Sequence, residues 1–192
     1  MLLPLIPTRT RLSSASEAPP GPCRFCGLVC PAWMMPTQHV NETVPACLLC
    51  ALCRGLDRNH IAEEITPIWL PEITQRALIA IVRRLHLIRR EHGQSPVVTG
   101  VPSPGSPLLS RAWGLHVALL RRGAVAASRL GTVDLGEIGE ALDDAARAGA
   151  DTPGLLGGLR LLPLGRFFNA QGVDIYPDAL ASLLKPMTGV AA

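Results

Sequence analysis

Aromatic side chains are scarce in this chain: one tyrosine, three tryptophans and three phenylalanines in 192 residues, 4% in all. A core must therefore be built from aliphatic residues, and a hydrophobic content of 48% is ample for one. Lysine is almost missing too. Lys185 is alone among 18 basic residues, so positive charge here means arginine. The net charge of +3 is too small to imply a nucleic-acid partner. What imbalance exists lies in residues 1–96, with ten arginines against seven acids, whereas residues 97–192 carry eight of each. Long apolar runs are absent: Leu78–Val82 stops at Arg83–Arg84 and Leu115–Leu120 at Arg121–Arg122. Neither approaches the ~18 residues of a spanning helix. The opening Met1–Pro7 has no leading charge and is broken by two prolines, which does not fit a signal peptide. The expectation is a globular, cytoplasmic protein.

Against these absences stand six cysteines, four of them in two Cys-x-x-Cys pairs, Cys23/Cys26 and Cys47/Cys50, twenty residues apart. A Cys-x-x-Cys turn aims two sulfurs at one point, and two such knuckles supply the four thiolates of a closed tetrahedral zinc site. A closed site is structural, because no coordination position is left to activate water. Disulfides are the alternative, and they suit an exported protein rather than a reducing cytosol. Cys30 and Cys53 lie just beyond the knuckles as packed small hydrophobes, spare thiols or alternative ligands.

Punctuation divides the rest. Residues 1–22, ending in Ala18-Pro19-Pro20-Gly21-Pro22, read as a mobile lead-in. Trp33–Met35 and Gln38–Val40 form candidate strands of a hairpin turning at Pro36-Thr37, followed by a loop from Arg54 to Thr66. Glu72 to His92 is a predicted amphipathic helix with Leu78, Ile81, Val82, Leu85 and Ile88 on one face and Arg83, Arg84, Arg89 and Arg90 largely off it. The proline- and glycine-rich stretch 93–107 separates a module over 23–93 from a mainly helical region over 107–192. There, Ser106-Pro107 opens a helix running to Gly123, Asp134 and Glu137 form a capping box for a helix through about Ala148, Thr152-Pro153 opens a short fourth helix, and Pro177 to Lys185 forms the last. The fold class is α+β.

Two knuckles framing a hairpin, with a helix after it, is the layout of the zinc-braced ββα-metal (HNH) nucleases. The residues available for their hydrolytic chemistry are His39, Asn41 and His60. His39 and Asn41 stand only two residues apart, Ala51 occupies the position after the last knuckle where a catalytic His is expected, and His60 comes ten residues after Cys50. The pattern predicts no catalytic residue.

Three segments together carry a resemblance: Cys23-Arg24-Phe25-Cys26-Gly27, Val44-Pro45-Ala46-Cys47-Leu48-Leu49-Cys50-Ala51-Leu52-Cys53, and Ile68-Trp69-Leu70-Pro71-Glu72-Ile73-Thr74-Gln75. Over residues 23 to about 90 the chain resembles the IcmJ (DotN) proteins of the Dot/Icm type IVB secretion system, and the third segment is the discriminating one. In the C-terminal half, Ala150–Pro153 and Leu156–Leu159 resemble the family's tail only loosely. The segment between the knuckles is shorter than in the family and lacks its paired His and acidic stretch. The resemblance implies a degenerate HNH-like scaffold with Cys23, Cys26, Cys47 and Cys50 as ligands of a structural Zn²⁺. It implies a non-enzymatic adaptor in a secretion coupling complex, held at the inner membrane by the cytoplasmic tail of a coupling ATPase and by other subunits. The alternative is an HNH-type DNA-binding or DNA-cleaving protein. Trp113, Phe167, Phe168 and Tyr176 are the candidate partner anchors, with core packing as their other reading.

Overall fold

The computed structural model describes residue 7 and residues 17–36, 43–98, 106–151 and 156–182. Its architecture is α+β: two small antiparallel sheets among helices. The first sheet has the order β1 (Glu17–Pro22), β2 (Val29–Pro36), β3 (Thr43–Ala46). Three prolines deny β1 their N–H groups, and it lies at the sheet edge, where the missing donors cost least. Its register against β2 shifts between Ala18 and Gly21. Residues 17–22, assigned to the lead-in from sequence, are therefore part of the sheet. The other side of β2 pairs with β3 from Trp33–Ala46 to Pro36–Thr43. The expected second strand at Gln38–Val40 lies outside the described residues.

From β3 the chain passes directly into α1 (Leu48–Arg54), whose first six residues are apolar and buried on every side, and whose last, Arg54, is buried with its guanidinium 5.0 Å from the centre of the Phe25 ring. The stretch read as a loop holds a single turn, α2 (Ile61–Glu64), and then β4 (Ile65–Trp69). β4 pairs antiparallel with β5 (Leu159–Pro163), from Ile65–Pro163 to Trp69–Leu159. A strand here was not legible from the sequence, because its partner lies some ninety residues away and Pro67 interrupts its pattern.

Side-chain caps stand at the starts of the three long helices, and the first of these begins at Gln75 rather than at the expected Glu72. Thr74 caps α3 (Gln75–Glu91) by accepting from Ala77 N at 3.2 Å, and Ser106 caps α4 (Pro107–Leu130) by accepting from Leu109 N. α4 does not stop at Gly123. It runs on to Gly131, whose left-handed φ of +73° ends it, while Gly123 lies against β4 with the Pro67 carbonyl 3.6 Å from where a Cβ would stand. An interior glycine costs about 1 kcal/mol, which tertiary packing can offset. Asp134 caps α5 (Leu135–Arg147), accepting from Glu137 N at 3.0 Å. The expected reciprocal bond is displaced by one link: Glu137 takes the Thr132 hydroxyl, and Thr132 Oγ1 accepts the Asp134 N–H. The helix expected at Thr152-Pro153 begins outside the described residues, and residues 159–163 beyond it are strand. α6 (Tyr176–Ser182) is the last element.

Two cores result. One gathers the four knuckle cysteines, Phe25, Met35 and α1 with Ile138 and Leu142 of α5, Leu161 of β5 and Tyr176 of α6. The other lies between α3 and α4 under the β4–β5 ribbon, with Ile68, Leu78, Val82, Ala112, Leu119 and Leu162. Both draw on residues from each side of the 93–107 divide, so that divide is no boundary between independent cores. A two-stranded ribbon is at best marginal alone, and here it is stabilised by helices from both halves.

Candidate metal centre

Each knuckle is built by the element beside it. Cys23 and Cys26 occupy the turn between β1 and β2, closed by Gly27 N to Cys23 O at 2.9 Å and Cys23 N to Leu28 O at 2.9 Å. Gly27 adopts φ +80°, which a side chain would strain, and so permits the turn. Cys47 is the N-cap of α1 and Cys50 lies in its first turn, so the helix sets the angle between their side chains. Arg24 N donates to Pro45 O at 2.9 Å and brings the two knuckles together. The four sulfurs then all lie within 4.8 Å of one another, with Cys23, Cys47 and Cys50 buried and Cys26 half-buried. Such a cluster can hold a metal ion, and among the described residues it is the one group of three or more metal-ligating side chains that converges in this way.

The chemistry of the cluster favours a cation. The Cys26 and Cys47 sulfurs stand 3.6 Å apart, far beyond the ~2.05 Å of a disulfide, and all six cysteines are free thiols. Hydrogen bonding from Cys26, then from Cys47 and Cys50, holds the Cys23 thiol below its ordinary range. Hydrogen bonding with Cys23 is the largest cause raising Cys26, Cys47 and Cys50, with burial adding to it. One thiolate thus stabilises itself at the expense of the other three, as crowded like charges must. A divalent cation at the centre reverses that penalty and lets all four ionise.

The two spare cysteines differ: Cys30 stands within hydrogen-bonding reach of the Cys47 thiol and adds to its raised basicity, and Cys53 does not. Cys30 is buried with its thiol toward Leu28 O at 3.9 Å. Cys53 faces Leu161 O at 3.6 Å and is capped by the Gln75 amide, and burial pushes its thiol up to about 12. Cys53 is thus a packed small hydrophobe.

Of the hydrolytic candidates, His39 and Asn41 lie outside the described residues. His60 is 40% exposed at the N-cap of α2, with Nδ1 3.1 Å from Glu63 Oε1 and its ring 4.6 Å from that of Phe168. The arginines of α3 do not form one face. Arg89 is buried, donating to Ser95 O at 2.7 Å and Val97 O at 3.1 Å, and Arg90 donates to Pro177 O. Of the four, Arg89 corrects the expectation most clearly: its guanidinium holds the chain after α3 against the core. Two of the four candidate anchors are likewise spent internally, since Phe167 is 4% and Tyr176 1% exposed. Trp113 and Phe168 are half-buried.

Two buried polar groupings escaped sequence reasoning. Glu64, fully buried, accepts from Arg58 Nε at 2.5 Å and from Phe168 N at 2.8 Å, and joins α2 to the segment after β5. His86 Nδ1 stands 2.6 Å from the Tyr176 hydroxyl, and the His116 ring lies 5.3 Å from that of His86. Both histidines are buried, and burial is the main cause lowering them, His86 well below the usual range and His116 to about 4. The available signal was their spacing: His86 follows Leu78 and Val82, and His116 follows Leu109 and Ala112, at helical intervals on apolar faces.

The segment Trp69–Gln75 is a joint between the halves. Leu70 N donates to Gly158 O at 2.7 Å, and Gly158 must lack a side chain because its Cβ would meet Trp69 at 2.7 Å. Glu72 pairs with Arg122 at 3.0 Å, and Arg129 lies over the Trp69 ring. The Gln75 amide donates to Leu161 O at 2.7 Å and accepts from Leu161 N at 2.8 Å, closing the outer edge of β5 as a strand would.

No helix among the described residues is long and apolar enough to cross a membrane. No protein-family model matches the chain, and no curated protein matches it.

Proposed function

We propose that this protein is a non-catalytic scaffold, braced by a structural zinc ion on Cys23, Cys26, Cys47 and Cys50, that works as an adaptor subunit of a type IVB secretion coupling complex. The observation that carries the reading is the closed, largely buried set of four thiols at the junction of a small sheet and α1. Tetrahedral zinc with Zn–S near 2.3 Å sets sulfurs about 3.8 Å apart, and the 3.6 Å between Cys26 and Cys47 fits that edge. Four protein thiolates leave no position for water or substrate, so zinc here would stabilise the fold rather than react. The HNH-like character of the module and its secretion role rest on resemblance to the IcmJ (DotN) family, whose discriminating segment is here the joint that unites the two halves.

An adaptor needs a surface to offer. Leu108 and Leu115, seven residues apart and so on one line of α4, stand 47% and 46% exposed. An extended tail of the coupling ATPase laid along that stripe would bury apolar area without a membrane segment in this chain. Co-expression with the ATPase tail of the same organism is the test. Co-purification that survives salt and weakens in Leu115→Asp supports the reading, and a failure to co-purify with soluble, folded tail refutes it.

One observation favours the second reading, an HNH-type DNA-cleaving protein: the exposed His60 imidazole is oriented by Glu63, as a general base would be. Metal-dependent cleavage lost in His60→Ala would establish it.

A further inference from the structure

α4 carries apolar residues on two sides. Leu109, Ala112, Leu119 and Ala126 are buried against the core. A second line, at positions 108, 111, 115 and 118, repeats at intervals of three, four and three, and its residues, Leu108, Arg111, Leu115 and Ala118, are all exposed. Such spacing keeps them within about 80° of arc on one side of the helix, and it is the seam along which a second helix packs. Charge on α4 is one-sided as well. Its 24 residues hold Arg111, Arg121, Arg122 and Arg129 and no Asp or Glu. α3, which lies antiparallel beside it with His92 against Ser106 and Glu72 against Arg122, adds five arginines and the single acid Glu91.

We infer that this line of α4 docks an acidic amphipathic helix of a partner protein, whose apolar residues cover Leu108, Leu115 and Ala118 and whose carboxylates meet Arg111 and, past Ala118, Arg121. The occupant rests on the reading of α4 as the surface an adaptor offers, and narrows that reading's extended tail to a helix. Spacing decides the form. Leu108 and Leu115 stand about 10.5 Å apart along the axis, which a helix matches with residues i and i+7, whereas side chains on one face of a strand recur every ~6.8 Å and fall out of step. Charge decides the partner. A second copy of this chain could offer its own α4, which would set arginine against arginine with no carboxylate on either side. It could offer α5, which has the acids, but the apolar Leu135, Ile138 and Leu142 of that helix are buried in the core. A foreign helix that brings both leucines and carboxylates satisfies the whole line.

The probe is a synthetic peptide of about three heptads with Leu at the two seam positions and Glu at the positions flanking them, titrated by calorimetry into the full chain; the same peptide with Lys for Glu is the control. The expected result is saturable binding of the Glu peptide with Kd below about 100 μM and at least about tenfold weaker binding of the Lys peptide. Leu115→Asp should lower affinity for the Glu peptide about tenfold or more. Arg111→Glu should weaken the Glu peptide and strengthen the Lys peptide, each about threefold or more, a reversal that a loss of folding cannot produce. Absence of saturable binding, equal affinity for the two peptides, undiminished binding in Leu115→Asp, or self-association of the chain that excludes the Glu peptide overturns the inference. The adaptor reading fails separately. A coupling-ATPase tail that does not bind a chain able to take the Glu peptide removes that partner alone, and a tail that binds a chain indifferent to the Glu peptide removes the acidic helix alone.

Discussion

Replacing Cys47 with Ser tests the metal centre most directly, because the change keeps size nearly constant and removes one sulfur ligand. Cys47 is 3% exposed, caps α1 and stands 3.6 Å from Cys26, so it joins the sheet to the helix both covalently and through the proposed ion. A structural zinc contributes about 10–16 kcal/mol to folding at neutral pH. If one of four ligands carried only a quarter of that, its loss would cost about 3–4 kcal/mol, a large part of the ~5–15 kcal/mol that holds a typical domain together. The remaining three thiolates would also lose the ion at micromolar chelator, and their mutual repulsion would return. The assay is metal content per chain alongside thermal melting, for the wild type, Cys47→Ser and Cys53→Ser. One zinc per chain is expected in the wild type. Cys47→Ser should lose the metal and melt at least about 10 °C lower, while Cys53→Ser should keep the ion and lose only a few degrees, its hydroxyl inheriting the contact to Leu161 O. A wild type that is folded and metal-free, or a Cys47→Ser chain with unchanged melting, refutes the reasoning.

Three further outcomes are expected. Glu64→Gln keeps an acceptor for Phe168 N but leaves the Arg58 charge buried without its carboxylate, and should cost about 3–5 kcal/mol by urea unfolding; a cost below 1 kcal/mol would contradict the buried pair. His116 titrates near 4 when folded and about 6.5 when unfolded, so the unfolded chain binds the extra proton between those values. Its contribution is therefore fully present above pH 6.5 and falls away toward pH 4 by about 3 kcal/mol; His116→Leu should flatten that part of the stability profile relative to the wild type, and parallel profiles would argue against it. Finally, incubation with Mg²⁺ or Mn²⁺ should give no cleavage of duplex or single-stranded DNA, and activity abolished by His60→Ala would return the protein to the nucleases.

The sequence alone determined the local features, those whose signal spans only a few residues. Cys-x-x-Cys spacing announced which four sulfurs would converge, since a turn and a first helical turn each bring i and i+3 side chains to one side. Ser106 and Asp134 announced helix starts, because a cap is satisfied by N–H groups two or three residues on. Tertiary structure alone decided what depends on distant partners. β4 exists because β5, ninety residues later, supplies its hydrogen bonds, and a proline-interrupted strand has no periodicity to read. Arg89, Phe167 and Tyr176 are internal because the neighbouring carbonyls, strand and helix arrive from elsewhere in the chain. The same holds for the pairing of His86 with His116: each lay on the apolar face of its own helix, but only the packing of α3 against α4 set the two rings side by side.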